Sequence, residues 1–173
     1  LAHLGETDVL LLEQGTLSCG TTWHAAGLVG LLRASESGTR LVQYSAELYQ
    51  RLEAETGQAT GFMPIGFIEV AADADRLEEY RRVAAFNRYC GVDVQEISPA
   101  EVGRLFPPAR TDDILAGFYV AGDGRVNPVD VTMSMAKGAR QTGVTIAQGV
   151  TVSDVLIRNG TACGVVTDHG TIE

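Results

Sequence analysis

Two short stretches hold the residues whose types and spacing point to chemistry. One is Asp8-Val9-Leu10-Leu11-Leu12-Glu13, an aliphatic run that closes on a carboxylate. The other is Gly20-Thr21-Thr22-Trp23-His24-Ala25-Ala26-Gly27-Leu28, an imidazole set between an indole and small residues. A continuous aliphatic run reads as a parallel strand buried on both faces. Any buried strand ending in Glu satisfies that pattern, so the first stretch alone leaves its role open. A lone histidine is ordinarily a satisfied core or surface residue. What sets His24 apart is its flank, because Ala25, Ala26 and Gly27 let the backbone approach a flat ring system closely.

In dinucleotide-binding folds the acid at the end of the second strand takes the ribose hydroxyls, about 20 residues after the glycines of the phosphate loop. Counted back from Glu13, such a loop lies before Leu1. Leu1-Ala2-His3-Leu4 is then the tail of the helix behind it, with Gly5 at the C-cap. A start inside a helix, without an initiating methionine, marks the chain on this reading as a fragment of a longer protein.

Gly20 to Leu28 closely resembles the flavin-attachment segment of the dimethylglycine and sarcosine dehydrogenase family of FAD-dependent amine oxidoreductases. In that family the histidine after Thr-Trp carries FAD covalently on its ring, and the spacing back to Glu13 is also similar. The resemblance implies cofactor contacts from Glu13, Gln14, Ser18, Gly20, Thr21, Thr22, Trp23, His24, Gly27 and Leu28. It places the backbone of Val152, the first valine of a Val-x-x-Val segment with Val155, against the adenine. The implied fold is α/β: a partial Rossmann-like FAD-binding domain with an antiparallel-sheet substrate domain inserted. Residues 1–60 form the first part of the FAD-binding domain on this scheme, 61–120 the substrate-domain segment, and 121–173 the returning helix and β-meander.

Composition bounds the alternatives. The 173 residues, 45% hydrophobic, suffice for one ordinary domain with a core. A formal net charge of -9 with few aromatics argues against nucleic acid or an anionic membrane surface as partner, since no basic run or basic amphipathic helix occurs. No apolar run approaches membrane-spanning length, and no signal-peptide pattern opens the chain. Cys19, Cys90 and Cys163 are odd in number and widely spread, which is neither a disulfide framework nor a metal-binding motif. That usage points to a reducing compartment, the cytoplasm or, in a eukaryote, the mitochondrial matrix. Cys19 is expected to be a small buried filler rather than a flavin-lining residue.

The elements that must position these stretches follow in order. A packing helix is expected over residues 39–56, with Leu41, Tyr44, Leu48 and Leu52 at three- and four-residue steps and its tyrosines in the core. Residues 62–72 read as a strand in which Gly66 marks a bulge or a close approach. Asp73 caps a helix to about Cys90, with Leu77, Tyr80, Val83 and Ala84 inward and Arg76, Glu78, Glu79, Arg81 and Arg82 on a solvated face. A short strand over 92–97 precedes the capping box Ser98-Pro99-Ala100-Glu101, and a strand over 114–120 follows the short helix. In the loop 121–128, Asn127 is the N-cap and Pro128 the first helical position of a helix carrying Val129, Met133, Ala136 and Ala139 and ending at Gly143. The resembled family uses an Asp-Gly-x-x-Asx-Pro loop here to return to the FAD domain. Arg125 has the fork to face a substrate carboxylate but is not assigned that role. The last part is a set of short strands, 145–147, 150–157 and 162–167, with a hairpin turn at Asn159-Gly160 and another at His169-Gly170. His3 and His169 are expected at the surface.

The activity implied by the resemblance is oxidation of N-methylated amino acids such as dimethylglycine or sarcosine, with hydride passing from the N-methyl carbon to a histidyl-linked flavin. A small-molecule substrate, an electron-acceptor protein, and tetrahydrofolate in a further domain are the implied partners. No residue is assigned as catalytic base and no metal site is expected. Two other readings stay open: an amine oxidase releasing peroxide, and a module that binds FAD or another nucleotide without chemistry. By itself the segment is expected to be inactive.

Overall fold

The computed structural model describes residues 1–173. The chain forms two compact units: 1–26 with 52–60 and 128–173, and 27–51 with 61–127. Each is an α/β assembly, and no helix is long and apolar enough to cross a membrane.

In the first unit, β1 (Leu10–Glu13) pairs in parallel with β7 (Thr145–Gln148). The parallel strand read from the aliphatic run is therefore present, but its burial is not. Leu10 and Leu11 remain 43% and 44% exposed on a two-stranded sheet. The segment before it is a short 3-10 turn, Ala2–Leu4, closed by Gly5 at φ 100°. Helix α4 (Pro128–Gln141) leads into β7 and buries Val131, Ser134 and Ala136. Met133 on the same helix is 39% exposed, and the smaller Ser134 beside it is buried. The C-terminal end of α1 (Glu36–Thr56) is fastened to α4 by polar contacts. Thr56 Oγ1 and Ser134 Oγ lie 2.9 Å apart, Lys137 Nζ donates to the Gly57 carbonyl at 2.9 Å, and Gln141 Nε2 donates to the Thr56 carbonyl at 3.2 Å. An antiparallel meander, β8 (Val152–Arg158), β9 (Thr161–Thr167) and β10 (Gly170–Ile172), completes the unit. Asn159 and Gly160 both take positive φ at its first turn, as a two-residue hairpin of this hand requires.

The second unit is built on the antiparallel sheet β3-β5-β4, made of Phe67–Ala71, Ala116–Val120 and Val94–Ile97. Helix α2 (Ala74–Tyr89) covers it. The core joins Leu32, Ala71, Ala84, Val92, Val94, Ala116, Phe118 and Val120, with Leu77, Tyr80 and Val83 packed against it, which is the inward face expected for α2. Both predicted caps form: Asp73 accepts from the Arg76 N–H and Ser98 from the Glu101 N–H, the latter opening α3 (Pro99–Leu105). Each such cap contributes about 1 kcal/mol. The charged face of α2 carries exposed pairs such as Arg76–Glu79, of small energetic weight. Along α1 the expectation holds in part: Leu52 is buried and Leu48 half-buried, but Leu41 and Tyr44 are 66% and 50% exposed, and Thr39, Ala46 and Thr56 take the remaining buried positions. A stripe of small and polar residues is invisible to hydrophobic periodicity.

Two further strands, β2 (Leu28–Val29) and β6 (Gly124–Arg125), form an antiparallel ribbon in the second unit, and Met63 bridges to Arg125 beside it. This close approach depends on Gly124, where a Cβ would lie 2.1 Å from the Met63 carbonyl oxygen. Gly66 is a second case: at φ 77° it lies under the Tyr119 ring, 2.4 Å from where a Cβ would be, which accounts for the glycine read there. Gly124→Ala should lower stability by about 2 kcal/mol, because backbone must move to admit the methyl. Gly20→Ala, in open space, should leave the midpoint unchanged. Chemical denaturation of the two variants checks the contrast.

Candidate functional site

Because β1 and β7 are parallel and in register, their carboxyl ends coincide at Glu13 and Gln148. In parallel sheets ligands bind beyond that end, where the strand-leaving loops converge. Here the loops are tied together by backbone. The Val150 N–H donates to the Glu13 carbonyl and the Gly149 N–H to the Gly15 carbonyl, both at 3.0 Å. The Leu17 N–H donates to Gln148 Oε1 at 2.6 Å, across 131 positions of sequence. Within the turn, the Gly15 N–H donates to Glu13 Oε1 at 2.8 Å. That bond orients the Glu13 carboxylate through one of its two oxygens.

The rest of the turn stays open. Gln14 is exposed and Ser18 half-buried at φ 70°, a backbone region that costs a non-glycine residue about 1 kcal/mol or more. Cys19 is exposed, not the buried filler expected; a Cβ on Gly15 would sit 2.6 Å from its Sγ, so the missing side chain at Gly15 lets the thiol fold over the turn. Gly20 and Thr21 are exposed and lead into a 3-10 turn, Thr22–His24, which packs against α4. The His24 N–H donates to the Thr21 carbonyl at 3.2 Å and the Ala25 N–H to the Thr22 carbonyl at 3.1 Å. The Trp23 and His24 rings lie against each other, centroids 4.1 Å apart. Both are exposed, Trp23 to 61%, so the indole forgoes most of the burial energy such a ring normally supplies. An accessible imidazole beside an uncovered indole suits a flat aromatic ligand in shape and chemistry.

Val152 opens β8 at the surface, paired with Thr167. Glu13, Gln14, Ser18, Gly20, Thr21, Thr22, Trp23, His24 and Val152 all belong to the first unit. Gly27 and Leu28 belong to the second unit. There Gly27 is buried and its carbonyl accepts from the Val126 N–H at 2.8 Å, while Leu28 is 62% exposed on β2. Arg125 is exposed and its Nη2 donates to Met63 Sδ at 3.1 Å.

Sequence reasoning passed over two kinds of residue. Gln148 orders the turn after β1, and nothing in its sequence neighbourhood signals a contact with residue 17. Asn87 is fully buried in α2, where its Nδ2 donates to the Arg33 and Val83 carbonyls and its Oδ1 accepts from the Arg33 N–H and Thr39 Oγ1. An asparagine inside a helix is a poor helix former, and that misfit was the available signal.

The family model for FAD dependent oxidoreductase (DAO) matches residues 1–173. The chain belongs to that family. It is 38% identical over 173 residues to the mitochondrial pyruvate dehydrogenase phosphatase regulatory subunit of Mus musculus, covering all of this chain and 20% of that protein. It is 36% identical over 172 residues to the mitochondrial dimethylglycine dehydrogenase of Rattus norvegicus, covering 99% of this chain and 20% of that one. Among solved structures, L-proline dehydrogenase from P.horikoshii superposes with a TM-score of 0.92 at 24% identity, over 99% of this chain and 45% of that chain. The chain spans about one fifth of the length of these curated relatives. The likeness to dimethylglycine and sarcosine dehydrogenases, carried in the sequence by Gly20 to Leu28, extends along the whole chain, and the α/β FAD-oxidoreductase fold is the one expected.

Replacing Gln148 by Ala removes the side-chain acceptor that spans the carboxyl end of β1 and β7. The expected cost is about 1 kcal/mol, with faster amide exchange at Leu17 than in the parent protein, read by exchange mass spectrometry.

Proposed function

We propose that this chain is the cofactor-holding part of a flavoprotein that oxidises N-methylated amino acids such as dimethylglycine or sarcosine, with FAD joined covalently to His24. The observation that supports the reading is the accessible His24 imidazole lying against the 61% exposed Trp23, on a segment that resembles the flavin-attachment sequence of the dimethylglycine and sarcosine dehydrogenases. Bound FAD would supply the redox chemistry, taking hydride from the N-methyl carbon.

The residues of the chain then divide the work. Glu13 accepts from the ribose hydroxyls with the oxygen its own turn leaves uncommitted, while Gln14 and Ser18 line the same turn. Gly20, Thr21 and Thr22 bring backbone to the ring edge with little bulk in the way. Trp23 lies against one side of the His24 ring, and His24 fixes the register of the cofactor. Gly27 and Leu28 border the ring, and the Val152 backbone meets the adenine. The assignment of 1–60 and 121–173 to FAD binding and 61–120 to a substrate-facing segment belongs to the same reading. So do an electron-acceptor protein, a tetrahydrofolate-using domain elsewhere in the protein, and residence in the cytoplasm or the mitochondrial matrix. Both curated relatives described above are mitochondrial by name.

A second reading is favoured by one observation, the 38% identity to a regulatory subunit: a family member that keeps the fold without turning over an amine. In the full-length protein, bleaching of flavin absorbance on anaerobic addition of dimethylglycine or sarcosine supports the first reading, and its absence supports the second. Peroxide release under air separates oxidase from dehydrogenase. For the attachment itself, the expected outcome is yellow colour that stays with acid-precipitated protein and passes to the supernatant in His24→Ala. Colour that washes out of the parent protein overturns the covalent link.

A further inference from the structure

The second unit begins with a strap, Gly27 to Leu31, attached to the loop before α4 at Asp123, Gly124, Arg125 and Val126. The Val126 N–H donates to the Gly27 carbonyl at 2.8 Å, Leu28 and Val29 pair with Arg125 and Gly124, and the Leu31 N–H donates to Asp123 Oδ1 at 2.9 Å. Asp123 is the side chain in this set and is 1% exposed. Its own backbone is also committed, the N–H to the Val120 carbonyl and the carbonyl to the Gly66 N–H. Asp123 Oδ2 lies 3.7 Å, and Arg33 Nη1 3.9 Å, from the point where a Cβ on Gly30 would be, so both sit over the strap. No salt bridge joins them, and Arg33 Nη1 donates instead to the Leu32 carbonyl.

We propose that Asp123 is the positioning residue for this strap, and that ionisation of its carboxylate loosens the hold on Gly27 to Leu31. The inference rests on the proposed flavin site in one respect, that Gly27 and Leu28 border the ring. A charge in this place is costly because solvent is excluded and one N–H does not replace a hydration shell. Burial raises the Asp123 pKa to about 6, against the lowering effects of the Leu31 N–H and of Arg33 and with a further rise from Glu69 on β3. Arg33 and Glu69 are the charged groups acting on it from the neighbouring elements. The sign follows. With the strap closed the carboxyl binds its proton up to about pH 6, and when opened to water it releases it near the ordinary 3.8. Low pH therefore favours the closed strap, and rising pH through 6 favours opening.

Hydrogen exchange of the peptide covering residues 27–33, in the purified protein as isolated and corrected for intrinsic exchange, tests this directly. Opening should increase about tenfold between pH 5 and pH 8, as a carboxyl moving between about 6 and 3.8 requires. Asp123→Asn, neutral at every pH and of the same shape, should hold the strap closed at pH 8 at least as tightly as the parent does at pH 5, with no pH dependence. Parent exchange that is flat across this range, or an Asn variant that titrates as the parent does, overturns the proposal. If the variant does not fold, the parent titration decides alone. Protein isolated without flavin overturns the flavin reading, while the titration of the strap still decides the role of Asp123.

Discussion

The parallel pairing of β1 with β7 is the constraint on which the candidate site depends. Residues 10–13 and 145–148 are distant in sequence, and four paired positions bring their carboxyl ends level. That alignment lets Gly149 and Val150 donate to the turn after β1 and puts Gln148 within reach of Leu17. Without it, Glu13 is a carboxylate on a loose loop. With it, one oxygen is committed to Gly15 and the direction of the other is set. A parallel pair cannot be closed by a hairpin, so the intervening chain must leave and return. The return is made by α4, whose polar contacts with Thr56 and Gly57 tie it to the end of α1.

The second unit solves a different problem, how to hold an irregular strap without the ladder of a wide sheet. It does so with buried polar side chains. Asn87 takes both the N–H and the carbonyl of Arg33, and Asp123 takes the N–H of Leu31. Buried polar groups of this kind are costly when half-satisfied and specify one arrangement when satisfied. No buried side-chain nitrogen or oxygen in the chain lacks a partner, so the arrangement is of the satisfied kind. The strap is thus fixed by a few directional bonds, one of them to a group that can change its charge.

What the sequence made legible was local. The caps at Asp73 and Ser98, the turn at Asn159-Gly160, the close approach at Gly66 and the inward face of α2 all follow from residue types within a few positions of one another. The motif around His24 was legible because its residue types are unusual together. What escaped was set by distant partners. Beside the foreseen Leu52, the buried face of α1 is made of Thr39, Ala46 and Thr56, and Thr39 is inside because Asn87 meets its hydroxyl. Leu10 and Leu11 look like core in sequence and are half-exposed, since burial of a strand depends on neighbours that its own residues do not encode. Asp123 stood in a loop already marked by its glycines and Asn-Pro cap, yet only the Leu31 contact gives it a role.

Family membership fixes the class of cofactor, and the proposed covalent link goes further by assigning that cofactor to a single imidazole of this chain. The most direct measurement is mass analysis of the tryptic peptide ending at Arg33, the first lysine or arginine in the sequence, from protein digested after denaturation. The expected result is a peptide that carries the mass of FAD and fragments to a modified His24. An unmodified peptide alongside flavin released to solution, or flavin mass on any other peptide, would contradict it.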